Sequence, residues 1–181
     1  MSYENAKQNL QEFGKELSLE LAFDENHTCI LGIDNAFSLH LTYEPNSDRL
    51  YLYSPVLDGL PKDDATKLKL YEGLLEGSML GGQMAGGGVG VAVREELILM
   101  HCVLEMGAGT ESSALRRFAP LFVEAVEKWR EKAKAVMEGR ELPKDDRMMP
   151  PMGGGKPPVP GIGGDDKGGP KPGGDDRFIK I

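Results

Sequence analysis

Between residues 37 and 43 apolar side chains fall at every second position, Phe37, Leu39, Leu41 and Tyr43, with Ser38, His40 and Thr42 between them. A strand repeats every two residues and a helix about every 3.6, so this pattern demands a strand with one buried face. Its surroundings extend the constraint. Asp34-Asn35 suits a tight hairpin turn, because Asn and Asp tolerate the left-handed backbone such a turn requires. The preceding run, 27–33, places Cys29, Leu31 and Ile33 on one side. After a second turn at Pro45-Asn46-Ser47-Asp48, Leu50 and Leu52 lie on one side of a further strand and Tyr51 and Tyr53 on the other. Both faces of that strand want cover. The result is an antiparallel meander.

Helices flank it. Tyr3, Ala6, Leu10, Phe13 and Leu17 recur at steps of three and four, the spacing of one helical face. Leu19, Leu21 and Phe23 then alternate as a short strand would. A second helix is expected after Pro61, capped near Asp63 or Asp64. Leu68, Tyr71, Leu75 and Met79 mark its stripe, and Leu70 and Leu74 widen it beyond one packing face. Gly73 and Gly77 each cost this helix about 1 kcal/mol of propensity relative to Ala, which suggests a close helix–helix approach. Val89, Val91 and Val93 alternate, Arg94-Glu95-Glu96 turns, and 97–104 reads as a strand covered on both faces. A last helix uses Leu115, Phe118, Phe122, Ala125, Trp129 and Ala133, with Pro120 expected to bend it or reset its start. The order helix, three strands, helix, two strands, helix predicts an α+β fold, a twisted antiparallel sheet of about five strands with three helices.

The glycine-rich stretch MLGGQMAGGGVGVAV, residues 79–93, raises the question of a phosphate loop. Neither signature fits. No Lys follows these glycines as a Walker loop requires, and Gly86-x-Gly88 leads to Val91 where a dinucleotide fingerprint needs Gly. Both phosphate loops also run from strand to helix, whereas this one runs from helix to strand. A helix end followed by a bent strand entry is the expectation.

The formal charge of −8 would repel a nucleic-acid backbone. No apolar run is long enough to span a membrane, and Met1-Ser2-Tyr3-Glu4 lacks the basic start of a secretory signal, so a cytoplasmic location is expected. Cys29 and Cys102 stand apart in strand-like runs as buried thiols would. His27, His40 and His101 lie in different strands, and no nucleophile elbow, zinc motif or shielded carboxylate pair is present; neither an enzyme, a metal nor a cofactor is expected. Composition breaks near Gly139. Prolines and glycines then dominate with almost no apolar residue until Phe178-Ile179-Lys180-Ile181, which predicts a domain over 1–138 and a disordered tail over 139–181. The tail repeats Gly-Gly-Asp-Asp at 163–166 and 173–176 and ends in an apolar tetrapeptide able to dock in a groove or on a sheet edge.

Four stretches carry a family resemblance: NLQEFGKELSLELAFDENHTCIL, DNAFSLHLTYEPNSDRLYLYSPV, the helix LYEGLLEGSMLGG, and VEAVEKWR. Together, over about residues 1–138, they resemble the class I chaperones of bacterial type III secretion, the Tir-chaperone (CesT-like) family. Two departures stand out: Leu74-Leu75-Glu76-Gly77-Ser78, where the family often shows Leu-Leu, a short spacer and Asn, and the Pro/Gly tail. The resemblance implies an acidic homodimer that holds the N-terminal segment of a secreted effector extended and soluble without ATP, with secretion-apparatus components as further partners. The pairing surface is then expected on Leu68, Tyr71, Leu74, Leu75 and Met79. The effector is expected on Leu10 and Phe13 of the first helix and on Ile30, Phe37, Leu39, Tyr51 and Tyr53 of the sheet. The competing reading is an adaptor or regulatory domain of the same fold that binds a folded partner and has no link to secretion.

Overall fold

A computed structural model describes residues 2–142. The elements are α1 (Ser2–Leu17), β1 (Thr28–Ile33), β2 (Phe37–Glu44), β3 (Arg49–Asp58), α2 (Asp64–Ser78), a 3-10 turn (Met79–Gly81), β4 (Gly88–Ala92), β5 (Leu97–Glu105) and α3 (Ala114–Met137). All five strands pair antiparallel in the order β1-β2-β3-β5-β4, so the expected α+β architecture is present.

Alternation sets the two faces of the sheet. Leu31, Leu39, Leu41, Leu50, Leu52, Val56, Ile98, Met100 and Cys102 are buried on the inner face. There α3 lies against β3 and β5, α1 packs beside α3, and α2 packs against α3 and β4. The β1–β2 turn has Asp34 at φ 46° and Asn35 at φ 55°, with Ala36 N–H donating to the Ile33 carbonyl at 2.8 Å. Two consecutive positive φ angles match the right-handed twist of a hairpin. The β2–β3 turn is tied to α1, since Tyr43 Oη donates to Asp48 Oδ1 at 2.7 Å and the Ser2 hydroxyl donates to the same carboxylate oxygen. These two bonds hold the Asp48 carboxyl below its ordinary range.

Helix ends follow from local chemistry. Asp63 is the N-cap of α2, its carboxylate accepting from Thr66 N–H at 2.8 Å. The N-cap of α3, Ser113, makes no side-chain cap bond. Asn9 of α1 serves instead: fully buried, it accepts from Leu115 N–H at 3.0 Å, while its amide donates to the Asn5 carbonyl at 3.1 Å. One helix thus supplies the missing acceptor of another. At its far end α2 passes into the 3-10 turn with Leu80 at φ 54° and Gly81 at φ 67°, and the chain then enters β4.

Three expectations need correction. Residues 19–23 join no ladder; Leu19 is exposed, while Leu21 and Phe23 pack against the core at α1, with the Phe23 ring 6.1 Å from that of Tyr3. Pro120 does not reset the start of α3, which runs through it from Ala114 to Met137. Its cost there is one intrahelical bond, to the carbonyl of Arg116, and Arg116 is exposed to water. Among the described residues the run 97–104 is covered on one side only, because no described helix lies over the outer face of β5. The tail features, including Gly-Gly-Asp-Asp and Phe178 to Ile181, lie outside the described residues.

The close helix approach suggested by Gly73 and Gly77 exists within the chain. A Cβ at Gly77 would collide with the Trp129 ring of α3, and a Cβ at Gly73 would meet the Leu142 side chain. Trp129 cannot retreat easily, being buried with Nε1 donating to the Gln83 carbonyl at 3.0 Å. Leu142 meets Gly73 only with a methyl tip. The two glycines therefore separate in an experiment. Gly77→Ala should lose about 1–2 kcal/mol, overpacking outweighing the helix-propensity gain, while Gly73→Ala should be neutral or slightly stabilising. Urea unfolding followed by Trp129 fluorescence reads both, and equal effects would refute the assignment.

Candidate functional site

Among the described residues, no helix lies over the outer face of the sheet. Register brings Ile30, His40, Tyr53, His101 and Gly88 into one row across β1, β2, β3, β5 and β4. A second row joins Pro55, Leu99 and Gly90. Two grooves run over these rows. One, of about 450 Å³, is walled by Tyr51, Tyr53, Val91, Leu99 and His101 and passes over Gly90. The other, of about 610 Å³, is walled by Phe37, His40, Tyr53, Pro55, Leu99 and Arg130. They share Tyr53 and Leu99, so the pair forms one trough. Ile30 stands at its β1 side, 59 % exposed.

The polar groups of the trough are few and held in place. His40 stacks on Tyr53 with ring centroids 4.8 Å apart, and its Nε2 lies 2.8 Å from Ser38 Oγ. Burial pushes its imidazole below the ordinary histidine range, favouring the neutral ring. Arg130 reaches from α3, donating to the carbonyls of Pro55 at 2.8 Å and Ala36 at 3.0 Å, with its guanidinium 5.2 Å from the Phe37 ring centroid. Asp58 lines the same groove. An apolar channel with one cation and few competing donors suits an extended peptide bearing apolar side chains.

A second surface lies on α2. Leu70 and Leu74 point into the chain's own core, leaving Leu68, Leu75 and Met79 60 %, 65 % and 66 % exposed. Tyr71 is half-buried among them. The spacing 68, 71, 75, 79 puts these residues on one helical face. Leu80 extends the stripe at 80 % exposure.

Sequence expectations divide accordingly. Ile30, Phe37, Tyr51 and Tyr53 reach the outer face or its grooves. Leu10, Phe13 and Leu39 do not: they are buried in the chain's own core, as is Leu74 of the expected pairing set. The reason is that α1 and α3 fill the inner face; among the described residues a recess of about 110 Å³ beside α1, walled by Tyr3, Lys7, Leu10 and residues 21–23, borders the buried Leu10. Leu99 and His101 were missed because the run 97–104 looks uniformly apolar; parity with Ile98, Met100 and Cys102 separates them. Leu80 was missed because it sits past the helix among glycines.

Burial pushes the Cys102 thiol up to about 12 and also raises Cys29, so both stay protonated. Among the described residues no three His, Cys, Asp or Glu side chains gather as a metal site requires. No helix among them is long and apolar enough to cross a membrane.

Comparison with known proteins places this geometry. Among solved structures, the chain is similar to one of the HopA1-SchA chaperone-effector complex, with 27% identity, a TM-score of 0.57 and coverage of 72% of this chain and 97% of that one. It is also similar to a chain of the ExsC-ExsE complex, at 16% identity and TM-score 0.58, covering 71% of this chain and 92% of the other. A third is the Yersinia pestis type III secretion chaperone SycH in complex with a fragment of YscM2, at 17% identity and TM-score 0.51, covering 68% and 98%. The last two likenesses speak to fold alone. No curated protein matches the chain. The model of the Tir chaperone protein (CesT) family matches residues 8–130, and the chain belongs to that family of secretion chaperones.

Proposed function

We infer that the protein is a type III secretion chaperone that binds the N-terminal segment of secreted effectors in extended form and keeps it soluble. The observation that carries this reading is the apolar trough on a sheet face that the described helices leave bare. An extended leader can lie across this face with its apolar side chains in the trough, while β1, the outermost strand of the described sheet, carries Ile30 at the trough's near side. Full burial of an apolar side chain contributes about 1.5–3 kcal/mol. Ile30, Tyr51, Tyr53 and Leu99 together therefore offset the roughly 2–5 kcal/mol of ordering that a disordered leader gives up.

Pairing of two copies belongs to the same proposal. The α2 stripe is apolar and rigidly backed, and a two-fold contact would set Leu68, Leu75, Met79 and Leu80 against their counterparts. Two such subunits would present two troughs to one long leader.

The direct test is co-expression of the full chain with candidate secreted proteins, followed by capture and mass-spectrometric mapping of the retained segment. Recovery of folded domains only, with leaders left behind, would overturn the reading. Ile30→Ser combined with Tyr53→Ala should weaken leader binding at least tenfold without lowering the melting temperature by more than a few degrees, whereas Leu10→Ala should act mainly on stability. Leu75→Asp with Met79→Asp should turn a dimer into a monomer of unchanged helicity, read by light scattering; a persisting dimer would exclude this face. A bound leader strips water from His40 and lowers its pKa further, so binding should weaken as pH falls through the pKa of the unliganded His40, which burial already holds below the ordinary histidine range. His40→Gln should flatten that profile in calorimetric titrations.

A further inference from the structure

We propose that the outer trough reads charge at both of its ends: a bound leader sets a carboxylate at Arg130, a Lys or Arg about six residues away at Glu44, and apolar side chains at alternate positions between them. This rests on the trough being the leader site, as read above. The two grooves meet at Tyr53 and Leu99 and reach opposite ends of β2, one at Phe37 and the other at Glu44. The trough therefore runs along the strands. Pro55, whose carbonyl holds Arg130, and Arg49, which lies opposite Glu44, are six residues apart on β3. At about 3.3 Å per residue this is about 20 Å, the span of six residues in an extended ligand.

The two ends differ in charge. Arg130 is half-buried and fixed by its bonds to the carbonyls of Pro55 and Ala36. Both partners are neutral, and among the described residues no carboxylate lies within ion-pair distance of it. Two carbonyls leave guanidinium N–H groups over for a carboxylate. Asp58 lines the same groove but is exposed at the end of β3, where water and salt screen it. At the other end Glu44, Arg49 and Glu105 form one row across β2, β3 and β5. Arg49 Nε is held by Glu105 at 2.8 Å, while Glu44 accepts from the uncharged Asn46 N–H and Nδ2 at 3.0 and 2.9 Å. That row keeps a net charge of −1. The whole domain sharpens the contrast: of the 21 Lys and Arg and 29 Asp and Glu, seven basic and six acidic residues follow position 142, so residues 1–142 carry a net −9. A field of that sign draws a basic group to most of the surface and repels a carboxylate from it. The acidic position at Arg130 is thus the one that selects among leaders.

Short peptides test this on the full-length protein. The probe is acetyl-Glu-Ser-Leu-Ser-Ile-Ser-Lys-amide, which places Glu, Leu, Ile and Lys on one face when extended. Three controls carry Gln in place of Glu, of Lys, or of both. Amide shifts of Tyr53, Leu99 and His101 followed through each titration give the affinities. Glu should be preferred to Gln by about three- to tenfold, Lys to Gln by about twofold, and both preferences should shrink at high salt. Arg130→Gln should abolish the first preference and keep the second, and Glu44→Gln should do the reverse. Each preference is a ratio within one protein, so a loss of stability does not mimic its disappearance. Equal affinity of all four peptides for the native protein overturns the proposal and leaves the leader site standing, and so do preferences that survive both substitutions. Absence of shifts at Tyr53, Leu99 and His101 with every peptide refutes the trough as leader site, and the proposal with it. Shifts that follow protein concentration rather than peptide assign the face to a second copy of the chain and overturn the proposal as well.

Discussion

Cover on one side only is the constraint from which the rest of this molecule follows. Three helices pack around a five-stranded sheet, yet α1 and α3 fill its inner face and nothing within the described chain lies over the other. Alternation in β1, β2 and β3 sends leucines inward, while opposite positions of β1 and β3 carry Ile30, Tyr51 and Tyr53. Side chains of this kind occupy a middle ground: apolar enough to gain from contact, and polar enough at the tyrosine hydroxyls to stand in water. A sheet so built is stable alone and still has contact energy to give.

The second helix shows the same division on a smaller scale. Trp129 enters the gap above Gly77, which fixes the rotation of α2 and turns Leu70 and Leu74 inward. Leu68, Leu75 and Met79 are then forced outward, whatever their hydrophobicity. The departure from the family's usual Leu-Leu-spacer-Asn pattern in this helix thus falls where Gly77 receives the indole ring.

Much of the architecture was legible in the sequence because period-two and period-3.6 patterns are local. The β1–β2 turn at Asp34-Asn35, the Asp63 cap and the order of elements could all be read that way. The site was harder. Leu39 and Tyr53 look alike in a hydropathy pattern, and only the position of α3 decides which face is filled. Leu10 and Phe13 went the same way, since an amphipathic helix announces that one face is buried but not what buries it. Residues 19–23 alternate correctly and still form no strand, because Leu21 and Phe23 turn toward α1 and the core instead of pairing along the edge of β1. The Asn9 cap on α3 spans 106 positions and leaves no local trace.

That cap has a consequence for biosynthesis. The first helix leaves the ribosome with Leu10 and Phe13 bare, and the element that covers them is more than a hundred residues away. At ordinary translation rates the nascent helix waits on the order of ten seconds for its mate. During that interval a protein whose own work would be to shield others is itself a client for shielding.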